Sequence, residues 1–301
     1  MPESTTVTTT GTTAGRLAGR TAGTITANGA ELYYERRGSG RALLLIPGAS
    51  GDAEMFARAA DALATQFTVV TYDRRGNSRS PAPAGWVATT VDEQADDAAA
   101  LIEGLGLAPA LVFGNSSGAT ITINLALRHP RVVRAAIAHE PPKIGVLPNR
   151  DELLDVLRER ADAAIAVGGY PNAMLDFHGW LTGPDEGETD VAQRDRVLAN
   201  GETWITKELG VIDRYDPPAE LIASLSVPLT LGVGTAGGTA LHTDLLAGYN
   251  ETLRRLAASL GAGFREFSGA HVPYETHVTQ FAAELTEALT DALADPEHTG
   301  R

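Results

Sequence analysis

The chain contains no cysteine, which excludes disulfides, thiolate metal sites and a cysteine nucleophile, and fits a reducing compartment. Basic residues are scarce too: 24 Lys and Arg stand against 38 Asp and Glu, a formal net charge of −14. A surface of that sign repels nucleic acid and anionic membranes and favours solubility. No apolar run reaches the roughly 18 residues of a membrane span. The N-terminus also lacks the continuous apolar segment of a secretory signal, so the expectation is a cytoplasmic protein. Large apolar residues are almost missing from MPESTTVTTTGTTAGRLAGR at the start of the chain. Such a stretch cannot bury a core, and residues 1–21 are expected to be a disordered tail, with residues 297–301 a short tail at the other end.

Beyond the tail, strand and helix patterns alternate. ITANG and AELYYERRG, from about Thr24, read as a two-stranded hairpin. A strand beginning at Ala42 leads to a helix over 53–64, Phe67–Tyr72 to a helix over 91–104, and Pro109–Gly114 to a helix over 117–128. Alternation at this spacing predicts an α/β fold: a mostly parallel sheet wrapped by helices, with right-handed crossovers and a site at the strands' carboxyl edge. The alternation stops after Pro142. Residues 143–216 carry only helical patterns, such as Asp151–Leu157 and 188–209, before strand and helix order returns at Val227. An all-helical cap over 143–216, inserted after the sixth strand, is therefore expected above a core made of residues 22–142 and 217–296.

Residues 111–122, LVFGNSSGATIT, join an apolar run to an amphipathic helix through Gly114-Asn115-Ser116-Ser117-Gly118. A G-x-S-x-G motif is weak evidence alone, since an ordinary Gly/Ser turn has the same composition. Between a strand and a helix it is the setting of a nucleophile elbow, in which the serine hydroxyl stands clear of the backbone at a helix N-terminus. Ser116 is the candidate nucleophile.

A serine needs a base, and the base belongs after the last strand of the sheet. His271 follows the run Phe264–Phe267, within Ser268-Gly269-Ala270-His271-Val272-Pro273-Tyr274, and precedes an amphipathic helix beginning near Val278. The other histidines read as solvated or capping residues: His129 ends a helix, His139 closes a strand, and His178, His242, His277 and His298 lie in helical or loop contexts. The acid that orients the imidazole is not in its commonest place, because Val227 to Thr243 contains no Asp or Glu. The strand before it, Val132–Ala138, runs into His139-Glu140-Pro141-Pro142, and the prolines keep the backbone extended there. Glu140 is assigned as the orienting acid. The plainer alternative makes it a rim residue paired with an arginine, and Asp244 and Asp213 are the fallback acids.

An oxyanion hole takes one backbone N–H from the residue after the nucleophile and one from an early loop. Ser117 supplies the first; Ala49, in Pro47-Gly48-Ala49-Ser50-Gly51, supplies the second. Pro47-Gly48 stands where His-Gly is common, so a histidine that often props this loop is missing. The later segment Asp73-Arg74-Arg75-Gly76-Asn77-Ser78 looks like a structural D-x-R-G loop, with Asp73 and Arg75 expected to pair.

Taken together these motifs resemble the α/β-hydrolase superfamily over roughly residues 22–295, in the chain order Ser116, Glu140, His271. Phe-Gly-Asn-Ser-Ser-Gly-Ala at 113–119, His139-Glu140, the acid-free Val233-Gly234-Thr235-Ala236 turn and Ala270–Tyr274 are similar to the zearalenone lactonase family. That resemblance implies a cofactor-free serine lactonase with Glu140 as triad acid, Ala49 and Ser117 as oxyanion donors, and a cap tryptophan, here Trp204, against the substrate. Trp204 reads equally well as a core aromatic that packs the cap on the sheet. Gly48, Pro273 and Tyr274 complete the expected substrate-binding set. A generic carboxylesterase shares every catalytic residue, and a receptor-like binding module shares the fold while turning over slowly. Ser116 excludes the aspartate nucleophile of an epoxide hydrolase or dehalogenase. The expected partner is a small lactone or ester, without nucleic acid or membrane, and a homo-oligomer is left open.

Overall fold

A computed structural model describes residues 19–49, 51–142, 150–182, 191–212, 214–235 and 248–294. Its centre is an eight-stranded sheet in the order β1-β2-β4-β3-β5-β6-β7-β8. The strands are β1 (Arg20–Ala27), β2 (Ala30–Arg37), β3 (Arg41–Ile46), β4 (Phe67–Tyr72), β5 (Ala110–Asn115), β6 (Val133–His139), β7 (Leu229–Gly234) and β8 (Gly263–Phe267). From β4 to β8 all neighbours are parallel, while β2 runs antiparallel to both β1 and β4. Strand β1 begins at Arg20, so the last residues of the expected tail belong to the sheet; the rest of that tail lies outside the described residues. Asn28 and Gly29 close the hairpin with φ of 47° and 73°, the pair of positive values that a two-residue turn of this hand requires.

Both faces of the central strands β3 and β5 are covered, which is why they read as largely apolar runs. Leu44, Ile46, Val112, Ala136 and Ala138 face one core, shared with α2 (Val91–Gly104), α3 (Ser117–Arg128) and α8 (Tyr249–Leu260). Their neighbours Leu43, Leu45, Leu111, Phe113, Ala135 and Ile137 face the other, under α1 (Ala57–Leu63) and α10 (Val278–Ala294). The period of two thus splits each strand between two cores. Full burial of each leucine, isoleucine, valine or phenylalanine among them is worth about 1.5–3 kcal/mol.

The sheet also locates the site. Chain order reverses around β3: β4 lies on one side of it and β5 on the other. In an open α/β sheet the crevice at such a switch, outside the strands' carboxyl ends, is where ligands bind. Strand β3 ends there in Pro47-Gly48-Ala49, and β5 ends there in Ser116.

Within the expected cap, the described residues form α4 (Arg150–Thr182), α5 (Val191–Ala199), the short α6 (Gly201–Thr203) and a single π-turn, Trp204–Glu208. Helix α4 is two helices in one run, broken at Gly168-Gly169, where Gly169 takes φ 72° ahead of Pro171. Segment 191–208 is tied to the core by polar bonds: Arg196 to Asp52 at 2.9 Å, the Asn200 side chain to the Ser78 N–H at 2.7 Å, and Thr203 Oγ1 to the Gly76 carbonyl at 2.8 Å. The other elements among the described residues are a 3₁₀ turn (Ala53–Phe56) and the short helices α7 (Ala219–Ala223) and α9 (Pro273–Thr276). No described helix is long and apolar enough to cross a membrane.

Candidate active site

Ser116 stands between β5 and α3 with φ 54° and ψ −125°, a conformation that costs an L-residue about 1–3 kcal/mol. The turn is held from outside: the Ser116 N–H donates to the His139 carbonyl at 2.9 Å. Two glycines make it sterically feasible. A Cβ on Gly114 would lie 2.2 Å from the Gly118 carbonyl oxygen, and one on Gly118 would lie 2.2 Å from the Ile46 oxygen. The elbow therefore fits only because strand, helix and the end of β3 meet without side chains.

His271 Nδ1 and Glu140 Oε2 are 2.7 Å apart, with His271 7% and Glu140 4% exposed. Among the described residues, the partners of the Glu140 carboxylate are His271 and the Gly234 N–H rather than the arginine of the plainer alternative. Its other oxygen, Oε1, accepts the Gly234 N–H at 2.8 Å, and its own N–H donates to the Gly232 carbonyl at 2.9 Å. With φ 49° at Glu140, the chain leaving β6 bends across the end of β7. The carboxylate thereby occupies the end of the strand that carries no acid of its own. A side chain is barred there, since a Cβ on Gly234 would lie 2.6 Å from the Gly269 oxygen and 2.8 Å from that of Ala270. The fallback acids Asp213 and Asp244 lie outside the described residues.

Asn115, quoted within the elbow motif but given no function by sequence reasoning, joins these parts. Its Nδ2 donates to the His271 carbonyl at 2.8 Å and lies 3.2 Å from His139 Nδ1, and its Oδ1 accepts the Tyr274 hydroxyl at 2.8 Å. One amide, next to Ser116 in the chain, thus contacts the residue before Glu140 and the backbone of His271. His139 is fully buried between Phe113 and Phe267, so it is neither the solvated nor the capping residue expected. Tyr274 differs from expectation as well. It is fully buried against Phe56 and Phe281, beneath the site rather than on its surface. Burial, and then the nearby Glu275 and Glu140 charges, push its phenol well above the ordinary range, so it remains a donor. Tyr249, raised by burial and Glu140, likewise donates to the Pro141 carbonyl at 2.6 Å.

On the other side of Ser116 lies the loop after β3. A Cβ on Gly48 would be 3.1 Å from Ser116 Cβ, which puts this loop against the serine. Among the described residues, neither the Ala49 nor the Ser117 N–H has an acceptor, though both residues are buried. The Ser117 N–H is one of the free donors at the start of α3, and together with that of Ala49 it suits a developing oxyanion beside Ser116. Above them, Ala49, Met174 and Trp204 form one buried cluster, with Phe177 stacked on Trp204 at a centroid distance of 4.0 Å. Trp204, 4% exposed, here packs segment 201–208 onto this loop. Pro273 is buried at the start of α9.

The expected Asp73–Arg75 pair is not formed; each has another partner. Asp73 holds Arg79 Nε at 2.6 Å and accepts the Ala53 N–H at 2.7 Å, whereas Arg75 reaches Asp97 at 2.8 Å. Their neighbour Arg74, unremarked in the sequence, is fully buried at the site. The signal available was a doubled arginine one residue after a strand rich in apolar and β-branched residues.

A mostly parallel sheet with an antiparallel leading hairpin, a strained serine turn after its fifth strand and an acid–histidine pair on the same edge define the α/β hydrolase class. The family model described as alpha/beta hydrolase fold matches residues 41–171. An uncharacterized hydrolase of Bacillus subtilis (strain 168), YraK, is 32% identical over 277 residues, covering 92% of this chain and 97% of the relative. A zearalenone hydrolase of Bionectria ochroleuca is 30% identical over 279 residues, 89% of this chain and 97% of the relative. The solved enol-lactonase of Burkholderia xenovorans LB400 superposes with a TM-score of 0.68 at 22% identity, covering 90% of this chain and all of that one. The chain belongs to the α/β hydrolase fold family, and within it resembles zearalenone hydrolase.

Proposed function

We propose that the protein is a serine hydrolase that opens the ester of a bulky, apolar lactone of the zearalenone type through an acyl-enzyme on Ser116. The observation that carries this reading is the convergence on one sheet edge of the strained Ser116, the Glu140–His271 pair and the backbone N–H groups of Ala49 and Ser117, which have no acceptor among the described residues. The Bionectria ochroleuca relative, named zearalenone hydrolase, supports the substrate class.

In this reading His271 takes the Ser116 proton while Glu140 holds the imidazole tautomer and stabilises the imidazolium. Ser116 Oγ bonds to the ester carbon, and the carbonyl oxygen, now anionic, lies against the N–H groups of Ala49 and Ser117. Collapse breaks the bond to the alkoxide, which takes the proton from His271 and stays tethered to the acyl group because the substrate is a ring. His271 then deprotonates water, whose attack releases a hydroxy acid and restores Ser116. Each donor of such a hole is worth about 10² to 10³ in rate. The chemistry calls for no metal or organic cofactor. The reading includes a helical cap over 143–216 as the lid, with Trp204, Gly48 and Pro273 against the substrate, and a cytoplasmic setting.

Incubating the protein with zearalenone and with short acyl esters, and separating the products by chromatography, tests it. Ring-opened hydroxy acid is the expected product. Good turnover of short esters with none of zearalenone would move the function to a generic carboxylesterase, and no multiple turnover of either would favour a slow, receptor-like binding module.

A further inference from the structure

We infer that Arg74 and Glu208 are positioning residues that aim the Ala49 N–H, so that the oxyanion hole is complete only while segment 191–208 is docked on the core. The inference rests on the acyl-enzyme reading above, and deepens it.

Arg74 is the second residue of the loop after β4, and Glu208 ends the π-turn of the cap segment. Their side chains are 0% and 1% exposed, and both guanidinium Nη atoms lie 2.7 Å from Glu208 carboxylate oxygens, in a two-pronged pair. Arg74 Nη2 also donates to the Gly48 carbonyl at 2.8 Å. That carbonyl belongs to the same peptide unit as the Ala49 N–H. A trans peptide is planar, and its C=O and N–H point in opposite directions; the Gly48–Ala49 bond is not among the cis bonds. Holding the Gly48 oxygen toward Arg74 therefore turns the Ala49 N–H away from Arg74.

The loop has little else to fix that peptide. The Gly51 N–H donates to the same Gly48 oxygen at 3.0 Å, and the Arg74 N–H returns a bond to the Gly51 carbonyl at 2.9 Å. Residue 74 thus brackets the turn with its backbone and its side chain. Gly48 has no side chain to restrain it, and Pro47 offers no polar group where a histidine could brace the loop, so without the guanidinium the Gly51 N–H alone is left on the Gly48 oxygen and the peptide is held more loosely.

A buried guanidinium needs a paired charge to stay buried. Glu208 supplies it from the cap, with Asn77 Nδ2 on the same carboxylate at 3.3 Å. The π-turn that ends in Glu208 begins with Trp204, which packs on Ala49 itself. The cap segment thus touches the donor residue with Trp204 and its peptide, through Arg74, with Glu208.

The test uses the full chain, p-nitrophenyl acetate as a substrate too small to need the cap, and a trifluoromethyl ketone, whose serine adduct carries an oxyanion in the hole. In Glu208→Gln and Arg74→Lys, kcat/KM is expected to fall about tenfold to a hundredfold, the cost of a small misplacement at a reacting centre. The fall should lie in kcat, and the ketone inhibition constant should rise by the same factor. Arg74→Lys keeps the charge pair but cannot span both Glu208 and the Gly48 oxygen, so it carries the test if Glu208→Gln does not fold. Rates within about twofold of wild type, or a fall in rate with ketone binding unchanged, overturn the inference. If Ser116→Ala is inactive in the same assays, that outcome leaves the acyl-enzyme reading standing; an active Ser116→Ala overturns both.

Discussion

Glu140 Oε2 lies 2.7 Å from His271 Nδ1, although 131 residues separate them in the chain. The pair forms because a positive φ at Glu140 carries its side chain across the end of β7, where Gly234 leaves room and donates its N–H to the other carboxylate oxygen. Glu140→Gln keeps that N–H bond and the volume of the side chain, but favours the wrong imidazole tautomer and carries no charge. Its kcat should fall by about 10⁴, with the fold intact by circular dichroism. Asp244→Asn should change little; the reverse pattern would mean that the orienting acid lies after β7.

Asn115 lends itself to a second test. Asn115→Ala removes the donor to the His271 carbonyl and the acceptor of the Tyr274 hydroxyl, leaving buried polar groups unmatched at about 1–3 kcal/mol each. Because His271 would be less firmly seated, kcat should drop at least about tenfold with KM little changed. A melting temperature that falls while kcat per folded molecule stays constant would show the amide to be structural only.

The elbow stores strain that a third experiment can release. Ser116→Gly and Ser116→Ala both remove the hydroxyl, but only glycine adopts φ 54° without steric cost. In urea unfolding the glycine variant should be more stable than the alanine variant by about 1 kcal/mol, net of the greater freedom of glycine in the unfolded chain. Equal or reversed stabilities would show the turn to be unstrained.

Burial at Asp97 sets a pH dependence. Desolvation, only partly offset by Arg75 and Asn28, pushes its carboxyl from 3.8 up to about 6. The folded protein should therefore hold a proton that the unfolded chain has lost between about pH 4 and 6, and stability due to this group decreases as pH rises through that window. Melting temperatures of wild type minus those of Asp97→Asn should fall from pH 4 to pH 6 and level off above. A rise over the same interval would mean that the Arg75 charge outweighs burial.

The parts of the molecule that depend on local pattern were legible in the sequence. Asn28-Gly29 announced the hairpin, the alternation of strand and helix patterns announced the parallel sheet, and the glycines around Ser116 announced the elbow. The assignment of Glu140 followed from the missing acid after β7, and the physical reason, the backbone of Gly269 and Ala270 pressing on Gly234, needed the folded chain. Pairings across long separations were not legible. Asp73 and Arg75 look like partners two residues apart, yet Arg79 and Asp97 take them instead. Tyr274 sits beside His271 in sequence and invites a place at the substrate, but Phe56, Phe281 and Asn115 enclose it. Arg74 acquires a function only when Glu208 arrives from 134 residues away.

Trp204→Ala separates packing from substrate contact. With the indole on the cap face of the Ala49 loop, its loss should lower kcat/KM for zearalenone by more than for p-nitrophenyl acetate, since only the larger molecule reaches the cap. Equal losses on both substrates would leave Trp204 as the residue that packs the cap.

The central claim is that Ser116 carries the acyl group, and the most direct measurement is the rate of zearalenone ring opening by the wild-type protein and by Ser116→Ala, followed side by side by chromatography. The wild type should turn over many equivalents, and the variant should lose several orders of magnitude in kcat, as removal of a triad nucleophile does. A variant that retains more than about a tenth of the wild-type rate would contradict the account.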